Sequence, residues 1–351
     1  MFKLEEEKDQ VDKKATSSCF VDTSMSCASK VQGGAVSSTD AYTVIREELR
    51  NKPAQKFDVS FSSDFLTSIE SGHVVWLFFF VHEYDILSGE RMCRDGVIRT
   101  DKWLNESNTS PITLCKKLTS YFPKEASERN IYQHLKMHGM YRTTAENMLD
   151  RLPKNIWEKV GEMYETLQKE WSGPQVPIFI FPADETNVKI RREFNGKSGL
   201  AFRDKLFLFF SNHNTNEEIK AVLTHEYNHV CRLKKHQKAE RNYTLLDAVL
   251  LEGMAENAVR EYCGESALAS WTTYYTDERL LKIVEQIIIP NRNLKRNEKK
   301  HSDILYGNGF YPKMSGYCAG YYLVKKYLNS TNLSTRAILG KDSIEFVKEY
   351  I

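Results

Sequence analysis

The string His225-Glu226-Tyr227-Asn228-His229 has the form H-E-x-x-H. Two imidazoles four residues apart on a helix project from one face and can share a zinc ion, with the intervening carboxylate in reach of the water such an ion activates. Two histidines do not complete a catalytic zinc site, which takes three protein ligands and keeps one position open. The third is expected from Leu251-Glu252-Gly253-Met254-Ala255-Glu256. A carboxylate at Glu252, arriving on a second helix, completes a His2Glu set; His213, His236 and Glu256 are the alternatives. Glu256, one turn after Glu252, is placed to accept the outer N–H of a ligand histidine, which fixes the ring and raises its basicity. The plain alternative is a surface pair of histidines and an exposed carboxylate, and the mid-helix position of the motif beside apolar residues argues against it.

Hydrolysis at such a site also needs a donor for the oxygen on which charge develops. Tyr317 and Tyr321 share a helix face and are flanked by Gly316 and Gly320. Tyr317 is the expected donor and Tyr321 the next choice, with His301 and Tyr306 behind them. The same G-x-x-x-G spacing also serves tight helix packing, so both readings stand at this point. Glu226 is the expected general base.

These side chains need helices to hold them. Thr215-Asn216-Glu217-Glu218 reads as a capping box, so a helix is expected over 216–235, with Ile219, Val222, Leu223, Val230 and Leu233 on one stripe. Thr244 caps a second, at 245–263, which Gly264 ends. Further helices are expected over much of 111–170, including Ala145–Leu152, and at 276–288 and 316–329. Apolar runs at 176–181 and 205–210 read as two short strands. The second could bind an extended peptide if it lies at a sheet edge, although its unbroken apolar character suits an internal strand. The expected class is therefore α+β: a mostly helical domain with a small β-sheet before the H-E-x-x-H helix.

The 351 residues, 41% of them hydrophobic, suffice for one large or two modest cores. Residues 1–60 are polar and are expected to be disordered. Residues 61–96 are unassigned, with a strand expected at Val74–Val81, a run too short to cross a bilayer. Residues 97–351 are expected to form the metal-binding domain. The balance of 49 basic and 47 acidic residues gives no reason to expect nucleic acid or an anionic membrane as partner. The basic loop Asn291–Lys300 reads as a solvated face. Seven scattered cysteines without a C-x-x-C pair fit reduced thiols. The first residues carry no apolar stretch of the kind a secretory leader has. The expected location is the cytoplasm.

The H-E-x-x-H string followed by Glu252-Gly253-Met254-Ala255-Glu256 resembles the gluzincin metallopeptidases. The chain is more closely similar to the bacterial YjaZ-like family, described as predicted Zn-dependent proteases. The likeness rests on Val222–His229, on Leu245-Leu246-Asp247 and on Gly316–Tyr321, and spans roughly residues 97–351. It implies a gluzincin-like fold, a Zn2+ cofactor and a peptide or protein substrate. Leu251 and Met254 depart from the N-E-G-F-A segment of related aminopeptidases, and no G-A-M-E-N-type segment is present, so an endopeptidase is the expectation. Two other readings remain open: a zinc-holding regulatory protein without proteolysis, and a hydrolase of a non-peptide amide or ester.

Overall fold

The structure, a computed structural model, describes residues 96–106, 110–236, 238–239 and 242–351. The expected disorder over 1–60 and the expected strand at 74–81 lie outside them. The architecture is α+β, mostly helical, with one three-stranded sheet. The principal elements are α1 (Glu128–Met137), α2 (Ile156–Trp171), β1 (Ile178–Pro182), α3 (Val188–Glu193), β2 (Ser198–Ala201), β3 (Leu206–Phe210), α4 (Asn216–Lys235), α5 (Leu245–Cys263), α6 (Asp277–Ile283), α7 (Lys299–Tyr306) and α8 (Ser315–Thr331). No helix among the described residues is long and apolar enough to cross a membrane.

The sheet order is β1-β3-β2, with β1 parallel and β2 antiparallel to β3. β3 is thus the central strand, buried along its whole length, and the edge position considered for 205–210 is overturned. Leu206–Phe210 has both faces covered, which is why it reads as a continuous apolar run. The edges are β1 and β2, and β2, with the sequence Ser-Gly-Leu-Ala, is short and glycine-bearing and carries no strand signal.

Two hydrophobic cores form. The first joins the sheet with α1, α2 and the inner face of α4; the second joins α5, α6, α7, α8 and the C-terminal segment. α4 is buried on more than the single expected stripe. Ile219, Leu223, Tyr227 and Val230 are buried as that stripe requires or extends it, Val222 and Leu233 are half-buried, and Asn228, Cys231 and Arg232 are also covered. A helix held between a sheet and a second helix has two inner faces.

Three further local expectations are corrected. Ala145–Leu152 forms only a 3-10 turn at Met148–Arg151, where Asn147 accepts the Leu149 N–H and so favours a turn over a full helix. The helix expected over 276–288 is α-helical only to Ile283, then widens to a π-helix at Val284–Ile288. The basic stretch ends in α7, whose charged first turn carries little apolar signal.

Candidate metal centre

α4 begins with the expected capping box: the Thr215 side chain accepts the Glu218 N–H, and the Glu218 carboxylate accepts the Thr215 N–H. α5 begins in the same way with Thr244 and Asp247. The end of α4 is tied to the start of α5. Arg232, near the end of α4, donates to the carbonyls of Leu339 at 2.9 Å and Lys341 at 2.6 Å and to the Ser343 hydroxyl. Ser343 in turn donates to Asp247 at 2.7 Å. A buried chain of hydrogen bonds thereby links the end of one ligand helix to the start of the other.

Along the crossing of α4 and α5 the three expected ligands converge. Nε2 of His225 lies 3.2 Å from Oε2 of Glu252, and Nε2 of His229 lies 3.5 Å from the same oxygen. The imidazoles stand edge to face with centroids 4.7 Å apart. His225, His229 and Glu252 each offer one ligand atom, and these atoms all lie within 4.8 Å of one another. Four-coordinate zinc with bonds of about 2.0–2.2 Å separates its donors by about 3.4 Å. The donor set and the two measured edges fit zinc.

Among the alternatives, Glu256 accepts from Nδ1 of His225 at 3.0 Å, and its other oxygen accepts the Ala269 N–H at 2.6 Å. It therefore orients His225 rather than replacing Glu252. Nδ1 of His229 has no partner among the described residues, so only one of the two rings is anchored. His213 faces the Asn195 carbonyl, and His236 packs by Tyr243 at the end of α4. Neither joins the cluster.

The electrostatics follow from this crowding. Burial opposes the charged form of His225, yet the Glu252 and Glu256 carboxylates raise its pKa well above the usual histidine range. Burial likewise opposes ionisation of Glu252, but His229 and His225 hold it well below the usual carboxylate range. Glu226 is raised, first by burial and also by Glu252; the two histidines and the Ala201 N–H offset part of the rise. Its side chain lies against Gly199 of β2, in the space that a Cβ there would fill. The edge strand that carried no sequence signal thus seats the expected base.

Tyr317 reaches the cluster from α8. Its hydroxyl donates to Glu252, and burial followed by the Glu252 charge raises its pKa well above the ordinary tyrosine range. The ring is packed 5.4 Å from Trp271 and 5.8 Å from Tyr306. Tyr321 is buried beside Trp271, under the charges of Arg260, Glu256 and Glu265, and takes no part in the cluster of the three donors. His301 is buried and bonds to the backbone at Thr244. Gly320 meets Gly253 with no room for a Cβ on either, and Gly316 lies against Leu305. The glycines thus serve helix packing, and that packing delivers Tyr317 to the ligands. Tyr306, placed behind Tyr317 and Tyr321 from the sequence, stands beside Tyr317 with ring centroids 5.8 Å apart.

A family model described as "Predicted Zn-dependent protease (DUF2268)" matches residues 156–348. The chain belongs to this family. The matched region runs from α2 to the C-terminal segment, and so includes both ligand helices and α8. The uncharacterized protein YjaZ of Bacillus subtilis (strain 168) is 43% identical over 210 residues, 59% of this chain and 80% of its own length. The uncharacterized protein YjfC of the same organism is 20% identical over 178 residues, 48% of this chain and 59% of its own length. No solved structure matches the chain.

Proposed function

We propose that this chain is a zinc endopeptidase of gluzincin type, with His225, His229 and Glu252 as ligands and Glu226 as general base. The observation that carries the reading is the convergence of the three donors on a face where Glu226, pressed on β2, stands next to them. Zinc in this donor set supplies the Lewis acidity that makes water a nucleophile near neutral pH.

The remaining work belongs to the chain's own side chains. Glu226 takes the proton of the attacking water and passes it to the leaving amine. Glu256 holds the proton of His225 on Nδ1 and leaves the Nε2 lone pair directed at the ligand position. Tyr317 swings its hydroxyl from Glu252 to the oxygen on which negative charge grows. The outer edge of β2, beside Glu226, aligns an extended peptide by backbone hydrogen bonds.

A peptide or protein is the partner in this reading, without nucleic acid or membrane, in keeping with the near balance of charges. The scattered cysteines support work in the cytoplasm.

The test is Glu226→Gln, measured against a panel of unstructured proteins, small amides and small esters. Zinc content and melting temperature should stay near wild type, while peptide hydrolysis falls by roughly 10²–10⁴-fold. Equal turnover in both proteins rejects Glu226 as base. A wild-type chain that leaves the panel intact favours the regulatory reading, and one that cleaves only the small amides or esters favours the non-peptide reading.

A further inference from the structure

Gly199 pairs in register with Leu208 of β3, and its backbone does not adopt the left-handed conformation that would call for glycine. Glycine inside a strand costs stability and marks a place where another group comes close. Here that group is Glu226. A Cβ on Gly199 would overlap its Cγ and stand 2.6 Å from Cδ and 2.7 Å from Oε1. The outer half of the Glu226 side chain therefore occupies the volume of the missing one.

Neither backbone can yield to a side chain at this position. β2 is paired with the buried β3 from Ser198 to Ala201, and the Phe202 N–H closes the hairpin on the Lys205 carbonyl at 2.9 Å. On the other face of β2 the Ser198 hydroxyl donates to the His138 carbonyl, and a Cβ on Gly139 would come within 3.0 Å of the Ser198 Cβ. α4 is capped at its start and held near its end by Arg232. The flexible Glu226 side chain is the part that must give way.

The phase of the strand isolates this effect. Side chains alternate, and Ser198 points to the end of α1, so position 199 points to α4. Main-chain groups alternate too. The Phe202–Lys205 bond makes that a hydrogen-bonded pair, so Leu200 and Ser198 spend their groups on β3 and Gly199 directs its N–H and C=O to the outer edge. The Leu206 N–H, which donates to the Pro177 carbonyl on the β1 side, gives the same phase. A substitution at 199 thus acts on Glu226 and spares the edge.

We propose that Gly199 is a positioning residue for Glu226: the absence of a side chain there lets the carboxylate stand at the face of the three metal ligands. The proposal rests on the peptidase reading for the role of Glu226.

The experiment compares Gly199→Ala, Gly199→Val and Gly340→Ala in the full chain. A Cβ on Gly340 meets nothing within 4 Å, so that variant should match wild type in every readout. On a peptide that the wild type cleaves, kcat should fall by about 10²-fold in Gly199→Ala, the cost of a misplacement of roughly 1 Å. It should fall further in Gly199→Val, with KM and zinc content close to wild type in both. Thermal melting gives a reading that needs no turnover. The shift caused by Gly199→Ala should be more favourable by about 2–4 °C in a Glu226→Ala chain, where the obstructing side chain is gone, than in the wild-type chain. A wild-type kcat in Gly199→Ala, a loss of kcat that comes with loss of zinc, or equal melting shifts in the two backgrounds overturn the proposal. A wild-type chain that cleaves no peptide, while the two melting shifts still differ, rejects the peptidase reading and leaves the seat of Glu226 on Gly199 standing.

Discussion

Gly253 and Gly320 meet at the crossing of α5 and α8, where a Cβ on Gly253 would overlap the Gly320 carbonyl and one on Gly320 would overlap the Val249 carbonyl. Gly253 follows the ligand Glu252, and Gly320 lies one turn beyond Tyr317. The contact sets how closely the helix bearing the third ligand approaches the helix bearing the tyrosine. Because the obstructing atoms are backbone, the helices must separate to admit a methyl group. Gly253→Ala should destabilise the fold by about 3 kcal/mol, the upper end of what overpacking costs. Gly320→Ala should act in the same direction and also weaken hydrolysis by withdrawing Tyr317. Thermal melting checks the first effect; wild-type melting in both variants would mean that the helices do not depend on this contact.

Glu256 anchors His225 through Nδ1. Glu256→Ala should lower zinc affinity by roughly 10–100-fold, the usual loss when an outer partner of a ligand histidine is removed. Glu256→Gln, which keeps an acceptor, should lose less. Competition with a chromophoric chelator reads both. Unchanged affinity in Glu256→Ala would show that His225 holds its orientation unaided.

The convergence of His225, His229 and Glu252 was legible because H-E-x-x-H and Glu252–Glu256 are spaced by helix geometry alone, and the capping residues Thr215 and Thr244 mark where each helix starts. What could not be read depended on contacts between elements distant in sequence. β2 exists because Ser198–Ala201 pairs with β3, and nothing in four small residues announces that. The π-helix at Val284–Ile288 keeps the apolar spacing of an ordinary helix.

Acid should weaken the start of α4 through Glu218. Burial works against its charge, but hydrogen bonds from Lys197, Asn195 and the Thr215 N–H bring its pKa down to about 2 from 4.5. A carboxyl group with a lower pKa in the folded chain favours folding only when ionised. Its contribution is therefore complete above about pH 5, shrinks as pH falls through 4.5 toward 2, and is absent below. Comparing melting temperatures of wild type and Glu218→Gln from pH 7 down to pH 2 should show a gap that is widest at neutral pH and closes in acid. A gap that is constant with pH would remove the ionic part of the cap.

Tyr317→Phe keeps the packing on Trp271 and Tyr306 and removes only the hydroxyl. Turnover should fall by about 10²–10³-fold, as for the loss of one oxyanion donor, with KM and zinc content little changed. Steady-state kinetics on a peptide the wild type cleaves separates the two parameters. A rise in KM with kcat intact would assign Tyr317 to substrate binding instead.

The zinc content of the purified full chain, measured by mass spectrometry of the metal after dialysis against a weak chelator, tests the assignment of the centre most directly. The geometry calls for one zinc per wild-type chain, for its loss in His225→Ala and in His229→Ala, and for a marked loss in Glu252→Ala. A wild-type chain that holds no zinc under these conditions, or a His225→Ala/His229→Ala chain that still carries one equivalent, would contradict it.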